Sequence, residues 1–323
     1  VHITVLKKET IDFLEIKKNG VYFDCTFGGG GHSREMLERC DEITLFCIDR
    51  DMSVYPNFEK LKADFPKANL KFINEKFGNL KTIIQNLQPI KIDGIAFDFG
   101  VSSMQIDSPD RGFSFQKDGN LSMEMGLCKI SAHEFINSID EESLANIIYK
   151  YGDERKSRII AKAIVKARQN EEIKTTVQLA NIVKAAARRY NDTIHPATRT
   201  FQAIRIYIND ELLEIENAIN AVYFAAHEGL HVSCISFHSL EDLIIKDFIK
   251  SHDKQNLEKD DFDKNYSNFV QKEQKICTNL PFFVKKLHNG VIAPSKDEIS
   301  QNIRSRSAKL RAFSFTKNEN FID

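Results

Sequence analysis

Nowhere does this 323-residue chain sustain the roughly 18–20 uninterrupted apolar residues of a membrane span, so no membrane partner is expected. Residues 1–8 lack a basic stretch followed by an apolar one, so no secretory signal is expected there. The chain opens on valine rather than methionine, and its first residues are expected to be missing or altered. Cys25, Cys40, Cys47, Cys128, Cys234 and Cys277 include no CxxC pair, which removes the usual zinc or redox spacing and leaves reduced thiols in a cytoplasmic protein. Seven prolines and 14 glycines exclude collagen-like or Pro-rich low complexity. No GxxxxGK[ST] element is present, which excludes a recognisable P-loop; the FHSLED segment around His238 is not an HExxH zinc motif, and no metal is expected. Nor is either charge in excess: 45 Lys+Arg face 46 Asp+Glu for a net −1, which argues against a simple basic nucleic-acid binder.

That neutrality hides local bias. Residues 154–191 hold ten Lys/Arg against three Glu, and residues 302–317 hold five Lys/Arg and no acid. Such patches suit a phosphate-rich partner or a solvated helix face.

The first hundred residues alternate β-rich runs with helical patterns. VYFDC (21–25), TLFCI (44–48), LKFIN (70–74) and DGIAFDF (93–99) are predicted strands separated by helix-length segments. This order implies an α/β fold with a parallel sheet, which binds ligands at the carboxyl ends of its strands. From about 107 to 191 no strand is expected, and Ile147, Ile148, Tyr151, Ile159, Ile160, Ala163 and Ile164 recur at helical spacing. Another helix begins near Pro196 and a further one covers 210–227, before HVSCISF (231–237) returns to strand character. The division expected is residues 1–106 as the first part of an α/β domain, 107–208 as an inserted helical substrate-recognition subdomain, and 209–323 as the second part. The polar stretch 251–275 reads as a surface excursion.

Four consecutive glycines, 28–31, follow the first strand and precede a helix. Glycine permits φ > 0 and close approach of a ligand to the backbone, and the helix start offers unpaired N–H groups. Asp49 ends the next strand 18 residues beyond Gly31, an offset at which an acid typically binds a ribose hydroxyl. Together these predict an adenosine-containing cofactor. The glycines do not form a clean G-x-G-x-x-G, and a nicotinamide oxidoreductase is correspondingly disfavoured.

Six blocks now carry a resemblance: DCTFGGGGHS (24–33), DFGVSSMQID (98–107), RGFSF (111–115), HPATRTFQAIR (195–205), SFHSLED (236–242) and RSRSAKLR (304–311). In this order they resemble the RsmH/MraW family of S-adenosylmethionine-dependent small-subunit rRNA methyltransferases. The resemblance implies N4-methylation of a cytidine in the decoding region of 16S rRNA. It also implies a class I (Rossmann-like) methyltransferase sheet interrupted by a helical insertion. By motif it places cofactor contacts on Gly30, Gly31, His32, Asp49, Phe77, Asp98 and Gln105. The partner implied is small-subunit rRNA or the assembling subunit, with a homodimer left open. The chain departs from the family at Gly29, at Asn302-Ile303 and in DGNLSMEMG (118–126), where the family usually reads DGPLDMRMD. N4-methylation of another RNA or of DNA is a same-class alternative, and that loop keeps a different one in view, a catalytically weak ribosome-assembly factor.

The cytosine amino group is a poor nucleophile, and an acceptor near its N–H groups would help. Asp98, ending the fourth strand, is the candidate for that role, with a cofactor contact as its competing role. Arg199, Gln202 and Arg205 share one polar helix face and suit phosphate or base edges, or else an internal network with Asp210 and Glu211. Arg155 and Arg158 are candidates for the RNA backbone, and His238 for the substrate pocket or for packing. His195 is expected to organise the turn before Pro196. Phe113 and Phe115 either stack a base or join the core.

Overall fold

The computed structural model describes residues 3–187, 195–254, 280–319 and 321. Cys277, most of the 251–275 stretch and the end of the basic segment, 188–191, lie outside the described residues. No helix among the described residues is long and apolar enough to cross a membrane.

The central strands read as short apolar runs because both of their faces are covered. β1 (Val21–Asp24), β2 (Thr44–Ile48), β3 (Asn69–Ile73), β4 (Gly94–Asp98) and β5 (His231–Ser236) run parallel; β6 (Phe282–Lys286) and β7 (Lys309–Lys317) complete the sheet. Their order is β3-β2-β1-β4-β5-β7-β6, and β7 runs antiparallel to both of its neighbours. This is the class I methyltransferase sheet. Strand alternation sorts the core into two layers. Tyr22, Leu45, Cys47 and Ala96 face one side, against α1 (Lys7–Asp12), α2 (Gly31–Arg39) and α3 (Tyr55–Asp64). Phe23, Phe46, Ile95 and Phe97 face the other, against α4 (Leu80–Asn86) and later helices.

After β4 a short helix, α5 (Ser103–Asp107), leads into five longer elements: α6 (Ala132–Ser138), α7 (Glu141–Gly152), α8 (Ser157–Asn170), α9 (Thr176–Ala186) and α10 (Ala197–Ile208). They enclose a separate apolar cluster that includes Leu144, Ile148, Ile160, Ile164, Leu179, Val183, Phe201 and Ile204. α11 (Glu211–Phe224) then returns the chain to the sheet, its Ile215, Ile219 and Val222 packing in the sheet's own core, and α12 (Ser239–His252) follows β5.

The helical periodicity across 145–168 is corrected in one respect. Asp153 adopts a left-handed backbone (φ 49°), so the run is two helices, and Ile159 lies exposed rather than on the buried stripe. β6 and β7 were not expected. The α13 helix (Lys296–Gln301) lies between them, and the Leu6 N–H donates to Glu298 Oε1 at 2.9 Å, joining the two ends of the chain.

Candidate active site

Strand order reverses between β1 and β4, which opens a crevice beyond their carboxyl ends. Asp24 ends β1, buried, with its Oδ2 accepting from Ser33 Oγ at 2.6 Å. The turn after it closes through Gly30 N–H to the Phe27 carbonyl at 2.7 Å. Gly30 sits at φ 74°, and the Phe27 ring packs 2.8 Å from where a Cβ would stand, so no side chain is tolerated there. α2 starts immediately after Gly30 with no side-chain cap, leaving its first N–H groups for a ligand.

Asp49 does more than mark the end of β2. Its Oδ2 accepts from Gly28 N–H and its Oδ1 from Asp51 N–H, both at 2.8 Å, so the carboxylate braces the glycine turn. Burial pushes its pKa up to about 6 against the pull of those two N–H groups.

Asp98 ends β4. Its N–H donates to Thr26 Oγ1 at 2.7 Å, which ties β4 to the glycine turn. Its carboxyl is a quarter exposed, yet Oδ1 is sealed from solvent and has no hydrogen-bond donor. Burial, reinforced by the Asp24 and Glu241 carboxylates, raises its pKa well above the ordinary carboxylate range. His32, also buried, places Nδ1 3.9 Å from Asp98 Oδ2, with its Nε2 3.1 Å from the Val5 carbonyl. A carbonyl only accepts, so Nε2 carries the hydrogen. Phe77 lies just after β3, tilted against Phe99 at 5.5 Å between ring centres.

Other predicted residues serve the walls. Gln105 closes a capping box with Ser102 and donates Nε2–H to Asp51 Oδ2 at 3.0 Å. Asp51 also accepts from Arg111 at 2.7 Å; burial acts to raise its pKa, and the hydrogen bonds from Arg111, Ser53 and Gln105 overcome that and lower it. Arg111 reaches the Glu124 carbonyl at 2.8 Å. Arg50 donates to the carbonyls of Gly126 (2.6 Å) and Asn209 (3.0 Å). Buried Asn209 in turn holds the Met123 carbonyl and the Met125 N–H, so the unusual 122–126 loop is clamped against the sheet.

Arg205 forms a bidentate pair with Glu211 at 2.7 and 2.8 Å, not with Asp210. Beside it, His238 and Glu241 close the capping box of α12, with His238 Nε2 3.0 Å from Glu241 Oε1. Glu211, His238 and Glu241 bring one ligand-type atom each within 4.8 Å of one another, and Arg205 supplies the cation there. Burial acts to raise the Glu241 pKa; His238 and Arg205 overcome it and lower it. Arg199 faces buried Glu154 at 3.9 Å. Arg155 and Arg158 are exposed and line a surface recess that includes none of the crevice residues. Phe113 and Phe115 pack against that cluster, and Phe115 also lies 4.6 Å from the His195 ring, whose Nδ1 accepts from Ala197 N–H.

The structure thus gathers Gly30, Gly31, His32, Asp49 and Asp98 at one crevice and leaves Arg155 and Arg158 apart from it. Asp24, Arg50, Asp51, Arg111, Asn209 and Glu241 were not singled out from sequence. Asp24, Arg111 and Glu241 sit inside motif blocks that pointed to them; Asn209 follows an apolar helix and gave no such signal.

The residues present suit a cationic, adenosine-bearing methyl donor: a glycine turn without room for a Cβ, an uncapped helix start, and a carboxyl oxygen with no donor. A family model described as the MraW methylase family matches residues 1–316. The protein named "Ribosomal RNA small subunit methyltransferase H" of Rickettsia bellii (strain RML369-C) is 43% identical over 311 residues, covering 96% of this chain and 97% of that protein. Proteins of the same name from Ehrlichia ruminantium (strain Gardel) and Wolbachia sp. subsp. Drosophila simulans (strain wRi) are each 43% identical, covering 96% of this chain and 98% of their own length.

Proposed function

This chain belongs to the MraW methylase family, and we propose that it is an rRNA methyltransferase that methylates N4 of a cytidine in the decoding region of 16S rRNA, with S-adenosylmethionine as donor. The names of its relatives, which cover nearly the whole chain, support small-subunit rRNA as the substrate, and the cytidine N4 position follows from the motif resemblance. The single observation that carries the chemistry is the Asp98 carboxyl at the carboxyl end of β4, partly exposed and with its sealed Oδ1 lacking any donor.

When bound, the cofactor supplies an electrophilic methyl group on a sulfonium. The chain's own work is to bind, aim and manage charge. The turn at Gly30 and Gly31 gives backbone approach, and Asp49 holds that turn while facing the ribose. Phe77 lines the base side of the cofactor. Asp98 serves both partners: its carboxylate complements the donor's positive charge and accepts from the amino N–H of the cytosine, drawing positive charge off the attacking nitrogen. His32 holds the Asp98 side of the crevice in place through Val5. Gln105, Arg205 and His238 fix the walls, and Arg199 does the same for the helical region. Arg155 and Arg158 meet the RNA backbone.

Nucleoside mass spectrometry of small-subunit rRNA from cells with and without the protein tests this reading. Loss of N4-methylcytidine supports it, and an unchanged level overturns it.

A further inference from the structure

The junction of α7 and α8 holds a surface recess of about 440 Å³, lined by Asn146, Tyr149, Arg155, Lys156, Arg158 and Ile159. That volume lies within the range of small-ligand sites, about 300–1,000 Å³. Tyr149 is 61% exposed and Ile159 58%, although neighbouring Ile147, Ile148 and Ile160 are buried. Two apolar side chains are therefore presented outward by helices that already have a filled core. Arg155 and Arg158 are exposed and, among the described residues, pair with no carboxylate. The nearest acids do not neutralise them. Glu154 is buried beneath, accepting from Lys156 N–H at 2.8 Å, and Asp153 is not among the lining residues.

We propose that this recess is a second RNA subsite, which takes one unstacked base of a single-stranded segment outside the methylated nucleotide. The inference rests on the RNA methyltransferase reading above. Tyr149 offers a face for stacking, Ile159 an apolar wall, Asn146 an amide for a base edge, and the two arginines bind the flanking phosphates. An acidic protein surface would use the arginines and leave the exposed ring without a role. A duplex would use the arginines too, but its bases are already stacked and offer no face to the ring.

The test uses the full chain and four probes: a labelled octauridylate, an RNA duplex of equal length, polyglutamate, and S-adenosylmethionine. Tyr149→Ala should weaken octauridylate binding about fivefold or more, as expected for loss of one stacked base. Tyr149→Phe should bind as the unaltered chain does. Replacing Arg155 and Arg158 with Ala should weaken binding and flatten its salt dependence by a slope of about 1.4 for two phosphates. All variants should keep their affinity for S-adenosylmethionine, which shows that they are folded. Unchanged octauridylate binding by Tyr149→Ala would overturn the subsite. So would equal competition by the duplex, or displacement by polyglutamate with no effect of Tyr149. The readout is binding rather than methylation, so the two readings fail separately. Octauridylate held through Tyr149 by a chain that leaves rRNA unmethylated keeps the subsite and sinks the methyltransferase reading. A methylating chain indifferent to Tyr149 sinks the subsite alone.

Discussion

His32 Nδ1 and Asp98 Oδ2 face each other at 3.9 Å, too far for a hydrogen bond. The Val5 carbonyl holds His32 Nε2–H, and burial of Asp98, with the neighbouring acids Asp24 and Glu241 adding negative charge, raises its pKa. The free protein therefore favours a protonated Asp98. A cationic methyl donor reverses that preference.

Binding of S-adenosylmethionine should accordingly release a proton from Asp98, so affinity should rise with pH until the free carboxyl is ionised. Calorimetry in two buffers of different ionisation heat measures the proton count. Asp98→Asn should bind more weakly and lose the pH dependence that Asp98 supplies, leaving that of Asp49 around pH 6. If the carboxylate also manages charge on the attacking nitrogen, the rate of this variant should stay low at saturating cofactor. A pH-independent affinity in the unaltered chain would remove Asp98 from the donor site.

The same raised pKa bears on stability. A carboxyl whose folded pKa lies above its unfolded value binds more protons in the native state, so stability falls as pH rises from the ordinary carboxylate range through the folded pKa. Asp49, pushed up to about 6, acts in the same direction up to that pH. Ligand-free Asp98→Asn should therefore melt higher than the unaltered chain at pH 8. The two should converge below about pH 3.9, where the carboxyl is protonated folded or unfolded.

Asp49→Ala should cut affinity for S-adenosylmethionine by about 1.5–3 kcal/mol, the range for a hydrogen bond to a charged group. The braces at Gly28 and Asp51 go with it, so hydrogen exchange at those two amides should quicken as well. Titration calorimetry and amide exchange check the two effects independently.

Arg205→Ala should destabilise the fold by about 3–5 kcal/mol, because it strands the Glu211 carboxylate in a buried site. The Arg205 side chain is only 17% exposed, so little water reaches the gap. Urea melts of Arg205→Ala, and of a double variant Arg205→Met with Glu211→Leu, test this: the double variant should recover most of the loss.

Much of this was legible in sequence. β1, β2, β4 and β5 announced themselves as apolar runs because a buried parallel strand has no polar face, and the glycine turn stood out because nothing else fits at Gly30. The break between α7 and α8 was not legible, since a single left-handed residue, Asp153, leaves no trace in the hydrophobic period. β7 was hidden by its charges. Lys309 and Arg311 read as a basic patch, but both reach Asp242, Arg311 at 2.7 Å, and so serve the sheet. The polar face of α10 was seen correctly as a face; whether Arg205 looks out to a phosphate or in to Glu211 depends on tertiary placement that periodicity does not carry.

β7 follows β6 in the chain yet lies between β5 and β6 in the sheet. While the protein is being made, β5 and β6 emerge with open edges and no partner for one another, and the gap is filled only when residues 309–317 leave the ribosome. Assembly of the sheet is therefore gated by its last strand rather than built up strand by strand. A chain interrupted before Lys309 keeps the glycine turn and Asp98, and carries two unpaired edges into the crowded space where nascent chains aggregate.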